Sequence, residues 1–294
     1  MKVGIIGATG TMGNAIAQVF ASADCISEVF LSGTTEERAI AGKAKIEKAF
    51  SKRIKRGRMT QEDADKILAK ISIGTLKGCS DCDLIVESVM EDVNIKTNVF
   101  HELDDICKDD CIFATNTSSI SITKISYGVK HPVIGMHFFN PATVMKLVEI
   151  IAGYNTPQYV IDKIDALAKE IGKTPVHVGE AAGFVVNNLL VPMINSAAFL
   201  KMEGVSDVKG IDDAMKLGAN HPMGPLELGD LIGLDICLTI MRVMFDETKD
   251  SKYRPCPLLT KMVRAGSLGV KSGKGFYIYH EDGTKTPVDA GALC

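Results

Sequence analysis

No apolar run in the chain reaches the roughly 18 residues that a membrane-spanning helix needs, so no membrane segment is expected. Charge of one sign is lacking too. The 33 Lys and Arg against 36 Asp and Glu leave a net charge of -3, which gives no electrostatic case for a nucleic-acid partner. Internal repeats and low-complexity segments are missing. No signal peptide is expected at the start of the sequence, and 294 residues exceed the scale at which a disulfide framework replaces a core. The eight cysteines, Cys25, Cys79, Cys82, Cys107, Cys111, Cys237, Cys256 and Cys294, are therefore expected as reduced thiols in a cytoplasmic protein. Cys79 and Cys82 form a C-x-x-C. A zinc site would need a second pair, or histidines at metal spacing, and no metal is expected without them.

What is present is an ordinary soluble composition, 46% hydrophobic and 23% charged, in a length that suits two domains. Residues 1–6 read as a short buried strand. A glycine-rich turn follows over 7–13, then a helix over 14–23 with apolar Ile16, Ala17, Val19 and Phe20 near helical spacing. Residues 28–31 read as a second strand. Strand, turn, helix, strand is a βαβ unit and implies a parallel sheet with right-handed crossovers. Further strands are expected over 71–73, 84–87, 111–114, 133–137, 146–150 and 174–178, with helices over 94–107 and 158–171. The charged stretch 35–70 reads as two helices, interrupted at Gly57 and restarted at Thr60-Gln61-Glu62-Asp63. Beyond Gly183 the pattern is helical almost to the end, over 184–203, 207–216, 226–245 and 257–263. The expectation is an α/β chain: a Rossmann-type doubly wound sheet over 1–183 with a helical arm near 35–70, then an all-α domain over 184–294.

The turn reads Gly7-Ala8-Thr9-Gly10-Thr11-Met12-Gly13, a G-x-x-G-x-x-G one residue longer than the dinucleotide fingerprint. Gly7 permits the tight turn, Gly10 lets backbone approach a pyrophosphate, and Gly13 allows close helix–strand packing. Thr11 and Met12 are further candidate contacts, since the phosphates sit where helix N-terminal amides and the dipole favour negative charge. The context, directly after a strand and before a helix, points to NAD or NADP. The acid that binds the ribose 2'-hydroxyl of NAD, expected about twenty residues past the turn, is missing. Leu31-Ser32-Gly33-Thr34-Thr35 stand there. Thr34-x-x-Glu37 reads as a capping box. Without the carboxylate a 2'-phosphate is not repelled; Ser32, Thr34 and Thr35 offer hydroxyls and Arg38 a charge. Acceptance of NADP(H) is the expectation.

Asn116-Thr117-Ser118-Ser119, Gly135-Met136-His137-Phe138-Phe139-Asn140-Pro141 and Met145-Lys146-Leu147-Val148-Glu149 resemble the 3-hydroxyacyl-CoA dehydrogenase family. So do Gly183-Phe184-Val185-Val186-Asn187, His221-Pro222-Met223-Gly224-Pro225-Leu226 and Gly269-Val270-Lys271-Ser272-Gly273-Lys274-Gly275-Phe276-Tyr277. The match runs in order from about residue 1 to 280, and the H-F-F-N-P and H-P-M-G-P-L segments are its most specific parts. The resemblance, nearest to the short bacterial members, implies interconversion of (S)-3-hydroxybutyryl-CoA and acetoacetyl-CoA with a nicotinamide cofactor. It implies His137 as acid/base, Glu149 as its partner, Ser118 on the reacting oxygen and Asn187 as a positioning residue. Glu87, Lys96 and Asn116 fall near the nicotinamide ribose or ring. The arm is similar to one that covers the coenzyme A tail, with Ser51, Lys52 and Lys55 as candidate contacts. One departure is Glu91-Asp92, where the family usually has Glu-Asn.

The residues themselves agree with that chemistry. Oxidising a secondary alcohol needs a base for the hydroxyl proton, and histidine titrates near neutrality. His137 and Glu149 each fall at a strand end, where ligand crevices of parallel sheets lie. A carboxylate on the imidazole would fix its tautomer. Taken alone, His137 could be a core residue, Ser118 a turn cap, and Lys96 a solvated helix residue. A short-chain reductase would need Tyr-x-x-x-Lys, but Tyr127 has Lys130 one position early. The alternative kept open is a non-catalytic NAD(P)-binding redox sensor. Apolar Pro192-Met193-Ile194, Leu231 to Leu234 and Ile236 to Val243 suggest a homodimer through the helical domain.

Overall fold

The computed structural model describes residues 1–288, so Cys294 lies outside the described residues. The chain divides into two compact units, Met1–Ala181 and Ala182–Cys294.

In the first unit the strands are β1 (Lys2–Ile6), β2 (Glu28–Ser32), β3 (Ile71–Gly74), β4 (Leu84–Glu87), β5 (Ile112–Thr115), β6 (Val133–Phe138), β7 (Leu147–Ala152) and β8 (Thr174–Val178). They form one sheet in the order β3-β2-β1-β4-β5-β6-β7-β8. All neighbours are parallel except β6 and β7, which pair antiparallel. The central strands are Val- and Ile-rich and buried along their length because helices cover the sheet. The strand order reverses between β1 and β4, and the crevice at such a reversal, beyond the carboxyl ends, is where ligands of this fold bind.

The helices of the first unit are α1 (Thr11–Ala21), α2 (Glu36–Lys55), α3 (Gln61–Ala69), α4 (Val93–Asp104), α5 (Ile122–Ile125) and α6 (Gln158–Glu170). The arm breaks at Gly57, whose φ of 65° suits glycine. α3 then starts at Thr60, whose side chain accepts from Asp63 N. At α2 the cap expected at Thr34 is instead Thr35: its hydroxyl accepts from Arg38 N at 3.4 Å. Two adjacent threonines can each cap a helix, and composition does not say which will.

Cys79, Cys82, Cys107 and Cys111 are all buried and free. The missing side chain of Gly4 makes room for them: a Cβ there would stand 3.2 Å from Cys82 Sγ and 3.3 Å from Cys79 Sγ. Cys107 Sγ donates to Cys79 O at 3.5 Å. The fold thus supplies beside the C-x-x-C the second pair that spacing alone did not reveal. Among the described residues, however, no group of three or more potential ligands could hold a metal ion.

The second unit contains α7 (Val186–Met202), α8 (Val208–Gly218), α9 (Pro225–Ile232), α10 (Leu234–Thr248) and α11 (Pro257–Arg264) around an apolar core of its own. Two expectations change here. The single helix expected over 226–245 breaks at Gly233, whose φ of 106° no helix accommodates. To the helices expected over 184–294 the described residues add a small hairpin, β9 (Tyr277–Tyr279) with β10 (Lys285–Pro287).

Candidate active site

Each glycine of the turn has its own reason. Gly7 takes φ 88°, and a Cβ there would come within 2.5 Å of Ser88 O, at the end of β4. A Cβ on Gly13 would meet Gly7 O at 2.4 Å, so α1 can lie this close to β1 only without a side chain. At Gly10 a Cβ would meet nothing nearer than Gly7 O at 3.3 Å, leaving backbone open to a ligand. The first turn of α1 carries no side-chain cap and no acid. Unsatisfied amides and a positive dipole end, with no competing carboxylate, suit a pyrophosphate. The residues present fit a dinucleotide.

The end of β2 explains the missing acid. A Cβ on Gly33 would sit 2.6 Å from Thr35 O and 2.7 Å from Ala39 N. The turn into α2 packs so tightly that any side chain would displace it. Ser32 beside it is 2% exposed, and its hydroxyl has no hydrogen-bond partner.

Across the switch point, β4 and β5 end in a buried polar cluster. Glu87 is fully enclosed: Lys96 Nζ bonds its oxygens at 2.8 and 3.1 Å, Thr115 Oγ1 donates at 2.7 Å and Val89 N at 2.6 Å. Lys96 is 1% exposed and faces Glu91 Oε2 at 3.3 Å on its other side. These two were expected to meet the cofactor. Glu91 stands between this pair and the loop after β5. Glu91 Oε1 accepts from Thr117 Oγ1 at 2.7 Å, Ser118 N at 2.8 Å, Ser118 Oγ at 3.2 Å, and both the amide and hydroxyl of Ser119 at 3.2 Å. Burial opposes its charge, but the Lys96 ammonium and these donors outweigh it and hold the carboxyl below the usual range. Glu91 is the site residue that motif reading passed over; its one signal was its place beside the departure at Asp92. Asp92 itself caps α4, accepting from Asn94 N at 2.9 Å and Ile95 N at 3.0 Å, which a carboxylate does as well as an amide.

Asn116 Oδ1 accepts from Phe138 N at 2.8 Å, which ties the β5 end to β6 beside His137. The antiparallel register of β6 and β7 sets His137 directly opposite Glu149. His137 Nδ1 lies 2.7 Å from Glu149 Oε2, with the residues 5% and 1% exposed. A carboxylate accepts, so Nδ1 carries the hydrogen and the lone pair of the neutral ring is on Nε2. The Phe139 ring tilts over the imidazole at 4.5 Å.

Of the remaining candidates, Ser51, Lys52 and Lys55 are exposed on α2, where Ser51 Oγ donates to Glu47 O at 2.9 Å. Asn187 belongs to the second unit, half-buried on the first turn of α7. That unit also gives its motifs structural work. Asp212 accepts from Leu226 N, Glu227 N and Tyr277 Oη, capping α9 just after H-P-M-G-P. Asp230 accepts from Phe276 N, Tyr277 N and Tyr279 Oη. Burial, with Asp212 adding to it, pushes Asp230 up to about 6 against those donors. A Cβ on Gly275 would collide with the Asp230 carboxylate, which accounts for the glycine in Lys274-Gly275-Phe276.

A doubly wound sheet, a dinucleotide turn at its switch point and a buried His–carboxylate pair at its strand ends define a nicotinamide-dependent dehydrogenase type of protein. Residues 2–181 match the model of the 3-hydroxyacyl-CoA dehydrogenase NAD binding domain, and residues 183–279 that of the 3-hydroxyacyl-CoA dehydrogenase C-terminal domain. The chain belongs to the 3-hydroxyacyl-CoA dehydrogenase family. It is 49% identical over 284 residues to a 3-hydroxybutyryl-CoA dehydrogenase of Clostridioides difficile, covering 96% of this chain and 100% of that one. It is 45% identical to a probable 3-hydroxybutyryl-CoA dehydrogenase of Bacillus subtilis, covering 94% and 97%. The crystal structure of (S)-3-hydroxybutyryl-CoA dehydrogenase from Ralstonia eutropha superposes with a TM-score of 0.88 at 41% identity, covering 95% of this chain and 99% of that one.

Proposed function

We propose that this protein is an NAD(P)-dependent (S)-3-hydroxybutyryl-CoA dehydrogenase that interconverts its substrate with acetoacetyl-CoA. The observation that carries the reading is the buried His137–Glu149 pair at 2.7 Å. In the oxidative direction the 3-hydroxyl proton passes to His137 Nε2 as the C3 hydrogen leaves with its electron pair. The nicotinamide, when bound, is the acceptor of that hydride. Glu149 holds the ring in position and stabilises the imidazolium it becomes. In reduction His137 returns the proton to the new alkoxide. Ser118, held by Glu91, hydrogen-bonds the reacting oxygen, and Asn187 contributes a neutral donor. Ser51, Lys52 and Lys55 receive the phosphates of coenzyme A. The absence of an acid at Gly33 admits NADP(H) as well as NAD(H). Exposed Leu189, Leu231 and Ile236 favour a homodimer through the second unit.

The test is the initial rate with acetoacetyl-CoA, followed at 340 nm with NADH and NADPH in parallel, for the wild type and His137→Gln. Oxidation of either nucleotide is expected, with kcat of the variant lower by about 10²-fold or more and nucleotide binding retained. Binding without turnover in the wild type would turn the reading to a nucleotide sensor.

A further inference from the structure

Helix α2 runs past the glycine turn and holds it at several points. The Asn14 side chain donates to Ala8 O at 3.2 Å and to Gly42 O at 2.9 Å. A Cβ on Gly42 would lie 3.4 Å from Ala8 O, so helix and turn are in close contact there. Further along the helix, Lys45 Nζ donates to Thr9 O at 2.6 Å. Thr9 belongs to the segment that lengthens this turn, and an exposed ammonium is fixed on its carbonyl. An ammonium has three donors, and the carbonyl engages one.

Ile6 at the end of β1 pairs with Ser32 at the end of β2, so the turn that holds this ammonium follows β1 next to the β2 end, the side on which the adenosine ribose of a dinucleotide is bound. The carboxylate that would repel a 2'-phosphate is sterically excluded there, since Gly33 is pressed against Thr35 O and Ala39 N. The first turn of α1 adds no acid. The first turn of α2 does carry Glu36 and Glu37 with Arg38. A hydrogen bond from Thr35 holds Glu37 below the usual carboxylate range, so it is ionised. Arg38 offsets only one of the two acids, and the Lys45 ammonium on Thr9 O adds a positive charge at the turn.

We infer that Lys45 is the specificity residue for the cofactor's 2'-phosphate, recruited by its bond to Thr9 O. The inference rests on the reading of the glycine turn as a dinucleotide site. The measurement is calorimetric titration of the full-length protein with adenosine 2',5'-bisphosphate and with 5'-AMP, which differ by the 2'-phosphate alone. Wild type, Lys45→Gln and Lys45→Arg are compared. Glutamine keeps a donor for Thr9 O and loses the charge, so the turn is preserved. The wild type should bind the bisphosphate more tightly than AMP. Lys45→Gln should lower bisphosphate affinity by about tenfold, the scale of one charge-assisted bond, and leave AMP within about twofold; Lys45→Arg should retain the preference. An equal loss for both probes, no loss for either, or no preference in the wild type overturns the inference. Reduction of acetoacetyl-CoA with NADH by that same preparation would show that the dehydrogenase reading stands while the role of Lys45 falls.

Discussion

Glu91 takes both the amide and the hydroxyl of Ser118 on one oxygen, at 2.8 and 3.2 Å, and faces the Lys96 ammonium with the other at 3.3 Å. One carboxylate thereby connects a buried ion pair to the loop that presents Ser118. Glu91→Gln removes the charge that draws Ser118 and Ser119 inward and leaves Lys96 with Glu87 alone. The expected result is a fall in kcat of about tenfold or more, with a melting temperature within a few degrees of wild type. Steady-state kinetics beside a melting curve separate the two effects; an unchanged kcat would show that Ser118 is positioned without Glu91.

The hydroxyl of Ser32 is buried and unbonded. A buried polar group without a partner costs stability, so Ser32→Ala is expected to raise it by about 1 kcal/mol. Denaturant unfolding measures the gain. Loss of nucleotide affinity in the same variant would mean that the hydroxyl turns toward the ribose when cofactor binds.

Asp104 and His131 predict a pH effect remote from the chemistry. His131 Nδ1 lies 2.5 Å from Asp104 Oδ1, and the amides of Lys130 and His131 donate to the same carboxylate at 2.8 and 3.0 Å. Burial opposes ionisation of Asp104, but His131 and these amides outweigh it and lower its pKa. Its contribution to stability is therefore complete above the unfolded value of about 3.9 and is lost as pH falls through the lower folded value. Asp104→Ala is expected to destabilise by about 3 kcal/mol at neutral pH, with the gap to wild type closing as both are taken to strongly acid pH. A gap that stays constant with pH would assign the loss to packing alone.

Much of the site could be read along the chain because its signals are local. A strand, a glycine turn and a helix are consecutive, and His137 and Glu149 each stand within a recognisable apolar run. Their partnership is another matter, because it depends on β7 turning back antiparallel to β6. The grip of Glu91 on residues 117–119 is equally invisible, since it spans two strands and no spacing rule connects them. The same holds for Asp212 and Asp230, which reach donors 14 and 46 residues away. The break at Gly233 hid inside an apolar run, where hydrophobic pattern outvoted a single glycine. At Gly33 the absence of an acid was plain, but the reason, contact with the backbone of Thr35 and Ala39, belongs to the turn's three-dimensional path.

The antiparallel step between β6 and β7 has a kinetic consequence. His137 and Glu149 are 12 residues apart, in a sheet whose parallel neighbours are otherwise joined through helices. Closing so short a loop costs little chain entropy compared with a long crossover. The His137–Glu149 pair therefore needs only the pairing of two strands close in sequence to form. Both partners also ride on one ribbon of backbone, so a shift of the sheet's outer edge would carry them together and leave the distance between imidazole and carboxylate unchanged.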